Sequence, residues 1–371
     1  VRILQLSSAQ TLGGGERHLA DLANALAARG HDIYAVLRPK SRLIGELSAL
    51  AQNKIVTLPL RNALDAPSAR ALSQFVREHE IEIVHAHMAR DYPLAAYATR
   101  RNPVTRLVIT RHVLFPLSRL HAMTMSHLAR LIAVSEAVAN GLRAQGLVPP
   151  DRITVVPNGV NIQRFDAALA KFDRAAFCRQ WQLPEECLLV GTVGEINALK
   201  GHEDLLHAAA TIVRRFPNCE FLIAGVDTST TGEHRAALVE LIAKLGLASQ
   251  VHLFGWLDDI ASFYRALDVF VSASQTESFG LAIAEAMACG TVVVATATAG
   301  AKEIIVDEKL GLLVPVGGIE AMAAAVIGLL EDRDQRLQIG AQAYRAVRKR
   351  FSLERMVDAT EKIYRESLAA K

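Results

Sequence analysis

The sequence predicts an α/β protein built from two doubly wound, parallel-sheet domains. Three observations predict it. A strand, a glycine-rich turn, a helix and a second strand open the chain at residues 2–7, 13–15, 17–29 and 33–37, which is how a doubly wound sheet begins. The same order restarts at residues 188–193 (LLVGTV), with GEINALKG and a helical stretch behind it. The length of 371 residues and the 51% hydrophobic content suit two cores better than one.

Residues 2–7 (RILQLS) alternate and end in polar residues, as a strand entering a loop does. The following Leu12-Gly13-Gly14-Gly15-Glu16 is neither GxGxxG nor a P-loop. It marks a place where backbone approaches a ligand closely rather than a specific nucleotide motif. Leu19, Leu22, Ala23 and Leu26 recur at helical spacing over 17–29, and Gly30 stops the helix. Residues 68–79 read as a helix and 81–85 (IEIVH) as a buried strand, which puts His85 and His87 on one face if the strand continues. The sequence offers these two imidazoles no third ligand nearby, so a polar role at the cleft edge is expected rather than a metal site. Residues 106–110 (RLVIT) form a strand ending in Arg111-His112, where ligands of parallel sheets bind; a surface histidine at a loop start is the alternative. Residues 113–130 mix Leu, Met and Phe with Arg119, His121, His127 and Arg130, and suit helix packing, an acceptor surface or a membrane-facing patch. A strand at 131–135, a helix at 136–146 and a strand at 153–156 complete the first half, and Pro157-Asn158-Gly159 is a turn. The polar stretch 165–184 is expected to be the linker.

In the second half, Lys200 stands at the mouth of a helix at 203–216 and reads as a diphosphate partner, or else as an exposed loop lysine. A strand at 220–224, a polar loop at 228–233, a helix at 234–245 and a strand at 251–254 follow, and Trp256 suits either base stacking or packing. The stretch 276–300, TESFGLAIAEAMACGTVVVATATAG, comes after an apolar strand at 267–273. Its helix at 281–289 opens after Gly280 and stops at Gly290, and 291–295 is the next strand. Free amides at such a helix start, aided by the helix dipole, favour an anion. Gly280 is expected to let a phosphate approach the backbone. Glu277 and Glu285 bracket the turn and suit the hydroxyls of a sugar and a ribose; a helix cap and a solvated carboxylate are the alternatives. A short strand at 311–316 and helical stretches at 319–330, 335–350 and 353–368 close the chain.

Residues 1–165 carry 20 Lys/Arg against 11 Asp/Glu, and the remainder 21 against 27. A basic first half suits an anionic acceptor or peripheral contact with an anionic membrane, and equally a solvated surface. No basic stripe interleaves with aromatics, so nucleic acid is not an expected partner. Four cysteines without a CxxC pair, no apolar run of membrane length and no signal-peptide pattern at the first residues point to a cytoplasmic setting, peripheral at the inner membrane face if the basic half docks there.

Glu277-Ser278-Phe279-Gly280-Leu281, with Glu285 eight positions after Glu277, resembles the signature of the retaining GT-B glycosyltransferases of family 4, the glycosyl transferases group 1 set. VVPNGVNIQRF before the linker and FSLERMV from residue 351 resemble the same family, so the resemblance covers nearly the whole chain. It implies the GT-B fold, with a Rossmann-like acceptor-binding domain at 1–165, a Rossmann-like nucleotide-sugar domain at 166–350, a cleft between them, and a helix at 351–371 crossing back. It implies transfer of a hexose-type sugar, with retention, from a GDP- or UDP-linked donor to a glycan, lipid-linked or small-molecule acceptor, as in cell-envelope polysaccharide synthesis, with no metal or other cofactor. By position it places Gly14 and Gly15 on the cleft, His112 beside the transferred sugar, and Lys200 with the main chain of Phe279, Gly280 and Leu281 on the diphosphate. It gives Glu285 the ribose and Glu277 the sugar, with His112 and Glu277 as the catalytic pair and no side-chain nucleophile. Two departures stand out: Asn161 where the family has Asp, and Glu195 where it has Arg, so that either the Glu195 carboxylate points away from the diphosphate or another cation, with Arg111 the candidate, compensates. The rival readings are a two-Rossmann epimerase or nicotinamide oxidoreductase, the latter opposed by the missing GxGxxG, and a non-enzymatic two-lobed sugar- or nucleotide-binding protein.

Overall fold

The computed structural model describes residues 1–118, 121–229 and 231–369. The chain divides into two compact units: Val1–Gly159 together with the segment from Leu353, and Val160–Ser352.

In the first unit, α1 (Gly14–Ala28) follows β1 (Arg2–Ser7), then β2 (Asp32–Leu37), α2 (Leu43–Glu46), β3 (Ile55–Thr57), α3 (Ala66–Glu78), β4 (Ile83–Ala86), α4 (Tyr92–Arg100), β5 (Arg106–Arg111), α5 (Ala122–Met125), β6 (Leu128–Ala133), α6 (Glu136–Gln145) and β7 (Ile153–Val155). The strands pair in parallel in the order β3-β2-β1-β4-β5-β6-β7. The chain therefore runs outward from β1 to β3 and then crosses to β4, which opens a crevice at the strand ends of β1 and β4. The C-terminal helix, Leu353–Ala369, buries Met356, Val357, Thr360, Ile363, Tyr364 and Ser367 at helical spacing. Its apolar members join Ile3, Leu19, Ile33, Ile83 and Val108 in one core, so the end of the chain belongs to the first unit.

The second unit holds α7 (Ile162–Leu169), α8 (Arg174–Gln180), β8 (Leu188–Val193), α9 (His202–Arg215), β9 (Cys219–Ala224), α10 (Glu233–Lys244), β10 (Val251–Phe254), α11 (Ile260–Ala266), β11 (Val269–Ser272), α12 (Leu281–Ala288), β12 (Val292–Thr296), α13 (Ala299–Ile304), β13 (Leu312–Val314), α14 (Ile319–Glu331) and α15 (Arg333–Arg350). Its parallel order is β10-β9-β8-β11-β12-β13, with the reversal between β8 and β11. Among the described residues no helix is long and apolar enough to cross a membrane. All four cysteines are free and buried.

Several local expectations are corrected. The glycine turn is partly helix: Gly13 caps α1, the Glu16 carboxylate accepts from the Gly13 N–H at 3.0 Å, and Gly14 and Gly15 form its first turn. Residues 113–130 are not one helix. Leu128 already lies in β6, Phe115 and Met123 are exposed, and Arg119 lies outside the described residues. The stretch 165–184 is structured as α7 and α8. Arg174 donates to the carbonyls of Ala266 (2.6 Å) and Cys187 (2.9 Å) and to Asp268 (2.9 Å), which ties α8 into the second unit. Residues 160–165 go with that unit as well, since the Val160 N–H donates to the Phe351 carbonyl at 2.8 Å. Asn161 fills its capping role without a carboxylate, its Oδ1 accepting from the Arg164 N–H at 3.0 Å.

Candidate active site

The second unit brings two predicted residues together at its strand-order reversal. Lys200 ends a short turn after β8, and Glu277 lies in the loop after β11. Lys200 Nζ donates to Glu277 Oε1 at 2.5 Å, and Ser274 Oγ donates to the same oxygen at 2.8 Å. The side chains are 28% and 15% exposed, so the pair is neither a surface ion pair nor a buried one. Glycines allow the loops to converge. A Cβ on Gly201, which has φ +64°, would lie 2.0 Å from the Ala273 carbonyl oxygen, and the Lys200 stem runs over Gly194. The Gln275 N–H donates to the Leu199 carbonyl at 2.8 Å and joins the two loops directly.

The helix tip beside them differs in detail from expectation. Gly280 caps α12 with φ +99°, and no side chain caps the first amides. The space a Cβ would take there is held by Ile283 at 3.0 Å and Ile304 at 3.5 Å. The left-handed backbone by itself already requires glycine at this position. The Phe279 side chain is buried against Phe351, with ring centroids 5.3 Å apart, so only its main chain is available to a ligand. Leu281 begins the helix and is partly exposed. Glu285, in the second turn, is not a merely solvated carboxylate: the buried Tyr264 hydroxyl donates to its Oε2 at 2.9 Å. The loop is braced from outside by α13. The Gly300 N–H donates to the Glu277 carbonyl at 3.0 Å, and a Cβ on Gly300 would sit 2.6–2.7 Å from the Phe279 main chain.

Glu195 accepts from Asn197 Nδ2 at 3.2 Å, while the buried Arg111 guanidinium donates to the Phe115 carbonyl, so each has a local partner in its own unit. Trp256 is 41% exposed, with its indole N–H on Asp258 at 3.0 Å, and is not a core residue. The sequence drew no attention to His202. It opens α9 beside Lys200, is buried, and has neither ring nitrogen in a hydrogen bond. Burial, helped by the Lys200 charge, lowers its pKa to about 4.

In the first unit, Gly15 and His112 are neighbours: a Cβ on Gly15 would lie 3.3 Å from His112 Cγ. Gly14 precedes Gly15 in the same helical turn. His112 Nε2 lies 3.2 Å from His87 Nδ1, and His18, one turn along α1, packs edge-on to His112 at 4.8 Å between ring centroids. His85, expected beside His87, has both nitrogens engaged, with Tyr364 at 2.6 Å and Thr110 at 2.7 Å. Burial, with the neighbouring imidazoles adding, holds His85, His87 and His112 well below the usual histidine pKa, so they are neutral at pH 7. The expectation that no third imidazole stands near His87 is thus overturned by tertiary contacts from α1 and β5.

A family profile described as glycosyl transferases group 1 matches residues 173–346, and one described as glycosyltransferase family 4 matches residues 12–164. The chain is similar to the D-inositol 3-phosphate glycosyltransferase of Saccharomonospora viridis, 32% identical over 301 residues, 78% of this chain and 66% of that one. It is also similar to the lipopolysaccharide core biosynthesis glycosyltransferase LpsE of Rhizobium meliloti, 29% identical over 367 residues, 97% and 96% of the two chains. The chain spans about half to two thirds of the length of the inositol-phosphate enzymes it matches. HepE of Anabaena, solved in complex with UDP-glucose, has a TM-score of 0.84 at 23% identity, covering 100% of both chains. The architecture these proteins share is the GT-B fold.

Proposed function

The chain belongs to the family 4 glycosyltransferases, and from that premise we propose that it transfers a hexose-type sugar, with retention, from a UDP- or GDP-linked donor. The acceptor would be a glycan, a lipid-linked sugar or a small molecule held by the first unit, on the cytoplasmic side of a membrane. The observation that carries the reading is the meeting of Lys200, Glu277 and the uncapped start of α12 at the strand-order reversal of the second unit. That is where open parallel sheets bind nucleotides.

In this reading the donor diphosphate takes the Lys200 ammonium from Glu277, or shares it, and lies against the first amides of α12. As the bond from the sugar C1 to phosphate oxygen breaks, charge gathers on the departing diphosphate. Lys200 and those amides stabilise it, so the reading needs no metal at the donor. The acceptor oxygen bonds to C1 on the same face, and its proton passes to the departing phosphate oxygen. Glu277 would orient the sugar, Glu285, already aimed by Tyr264, would hold the ribose hydroxyls, and His112 would contact the sugar. UDP-glucose in HepE supports a nucleotide-sugar donor for this fold. The basic 1–165 region suits an anionic acceptor or membrane surface.

The test is calorimetry with UDP, GDP and ADP, followed by release of the nucleotide from its hexose derivatives in the presence of chelator, with the product anomer read by NMR. Binding of one nucleoside diphosphate, with turnover giving a retained anomer, is expected. Absence of binding to all three would overturn the reading.

A further inference from the structure

Among the described residues one group of side chains is placed to share a metal ion, and it lies in the first unit: His18, His87 and His112, whose ligand atoms all fall within 4.8 Å of one another. We propose that these three imidazoles form a binding site for a divalent d-block cation of the zinc type, with a fourth coordination position left to an exogenous ligand.

The arrangement around each ring supports this. Gln5 Nε2 donates to the Tyr364 hydroxyl at 3.5 Å, which turns Gln5 Oε1 toward His87 Nε2, 2.8 Å away. His87 therefore carries its proton on Nε2 and presents the Nδ1 lone pair toward His112. An outer acceptor fixing the tautomer of a metal-ligating histidine in this way is a general feature of metal sites. The His87 Nδ1 to His112 Nε2 separation is 3.2 Å. Two zinc–nitrogen bonds of about 2.0–2.1 Å at the tetrahedral angle set ligand nitrogens about 3.4 Å apart. His18 is 3% exposed and neither of its ring nitrogens has a hydrogen-bond partner. Buried polar groups left this way call for an ion or an ordered water. The Asn158 side-chain oxygen also lacks a donor and is close enough to influence His18. It can accept from the His18 nitrogen that does not ligate. Closing a pair from the 4.8 Å limit to about 3.4 Å takes a combined side-chain movement of about 1.4 Å.

The chemistry of the set selects the ion. Three neutral imidazoles without a carboxylate suit zinc, cobalt, nickel or copper rather than magnesium or calcium. The Arg111 charge acts on His112, so a dication here would be favoured by an anion, hydroxide or chloride, as its fourth ligand. The observations behind the cation all lie in the first unit and do not rest on the donor reading; His112 is the residue the two share, and binding of the bare nucleoside diphosphate is expected to survive chelation.

The test uses the full chain. Stripped protein is titrated with Zn²⁺ by calorimetry, and with Co²⁺ while its visible ligand-field absorption is followed. One equivalent is expected to bind, with the intense bands of tetrahedral cobalt. His18→Gln and His112→Gln are each expected to weaken Zn²⁺ binding at least about tenfold and abolish the bands. His127→Gln, at an exposed position outside the trio, should change neither. The two ligand variants back each other should one fail to fold, as judged by its melt. Absence of a one-equivalent event, or binding undiminished in both ligand variants, would overturn the proposal and leave ordered water as the partner of His18.

Discussion

Removing Glu277's charge should tighten the grip on a bare nucleoside diphosphate, while removing Lys200 should loosen it. In the ligand-free protein the ammonium is held by Glu277 at 2.5 Å, with 28% and 15% of the two side chains exposed. Partial exposure screens the pair, so its net worth is set at roughly 0.5–1 kcal/mol rather than the several kcal/mol of unscreened Coulomb attraction. A diphosphate must overcome that amount to claim Lys200. Glu277→Gln keeps an acceptor for Ser274 but removes the competitor, and should lower the Kd for UDP or GDP about two- to fivefold while turnover of the sugar nucleotide falls. Lys200→Met removes a charge-assisted hydrogen bond to the diphosphate worth roughly 1.5–3 kcal/mol and should raise Kd about 10- to 150-fold. The double variant should bind like Lys200→Met, since the competitor matters only when the lysine is present. Calorimetry on the four proteins reads all of this. If Glu277→Gln weakened the bare nucleotide as much as Lys200→Met does, the carboxylate would be holding the diphosphate site together rather than competing for its cation, and the reasoning would be wrong.

Three other outcomes follow from the same geometry. Glu285→Ala should weaken nucleotide binding by about 1–3 kcal/mol and erase the preference for UDP over 2′-deoxy-UDP; an intact preference would remove the ribose from Glu285. Gly300→Ala drives a Cβ into the Phe279 main chain and should cost about 1–3 kcal/mol of stability together with nucleotide affinity, whereas Gly141→Ala, exposed in α6 with open space around it, should gain about 0.5–1 kcal/mol; matching melts would refute the packing argument. His202, held near pKa 4 by burial, is neutral in the fold but protonates at about 6.5 when unfolded. Between those values the unfolded chain binds more protons, so its stability contribution is complete above about pH 6.5 and is lost as pH falls toward 4, by at most roughly 3 kcal/mol. His202→Asn should flatten the pH dependence of unfolding across that window, and an unchanged slope would show that the imidazole is hydrated.

Strand and helix order was readable because each half repeats a local pattern, apolar runs near five residues separated by amphipathic helices and glycine stops. The two stretches read least well, 113–130 and 165–184, take their structure from elsewhere. Arg174 of α8 is fixed by carbonyls and a carboxylate distant in sequence, and no local periodicity encodes such partners. Phe279 shows the same limit inside a motif: its place in the sequence says nothing of the Phe351 ring that buries it.

By itself the sequence determined the fold class, the family and which loops stand at strand ends, since these depend on periodicity and on motifs contiguous in the chain. Only the tertiary structure decided that Lys200 is held by Glu277, that Gly280 answers to its backbone angle, and that His18 and His112 gather around His87. Parallel strands bring together loops tens of residues apart, and the chemistry between such loops depends on distances that no stretch of sequence contains.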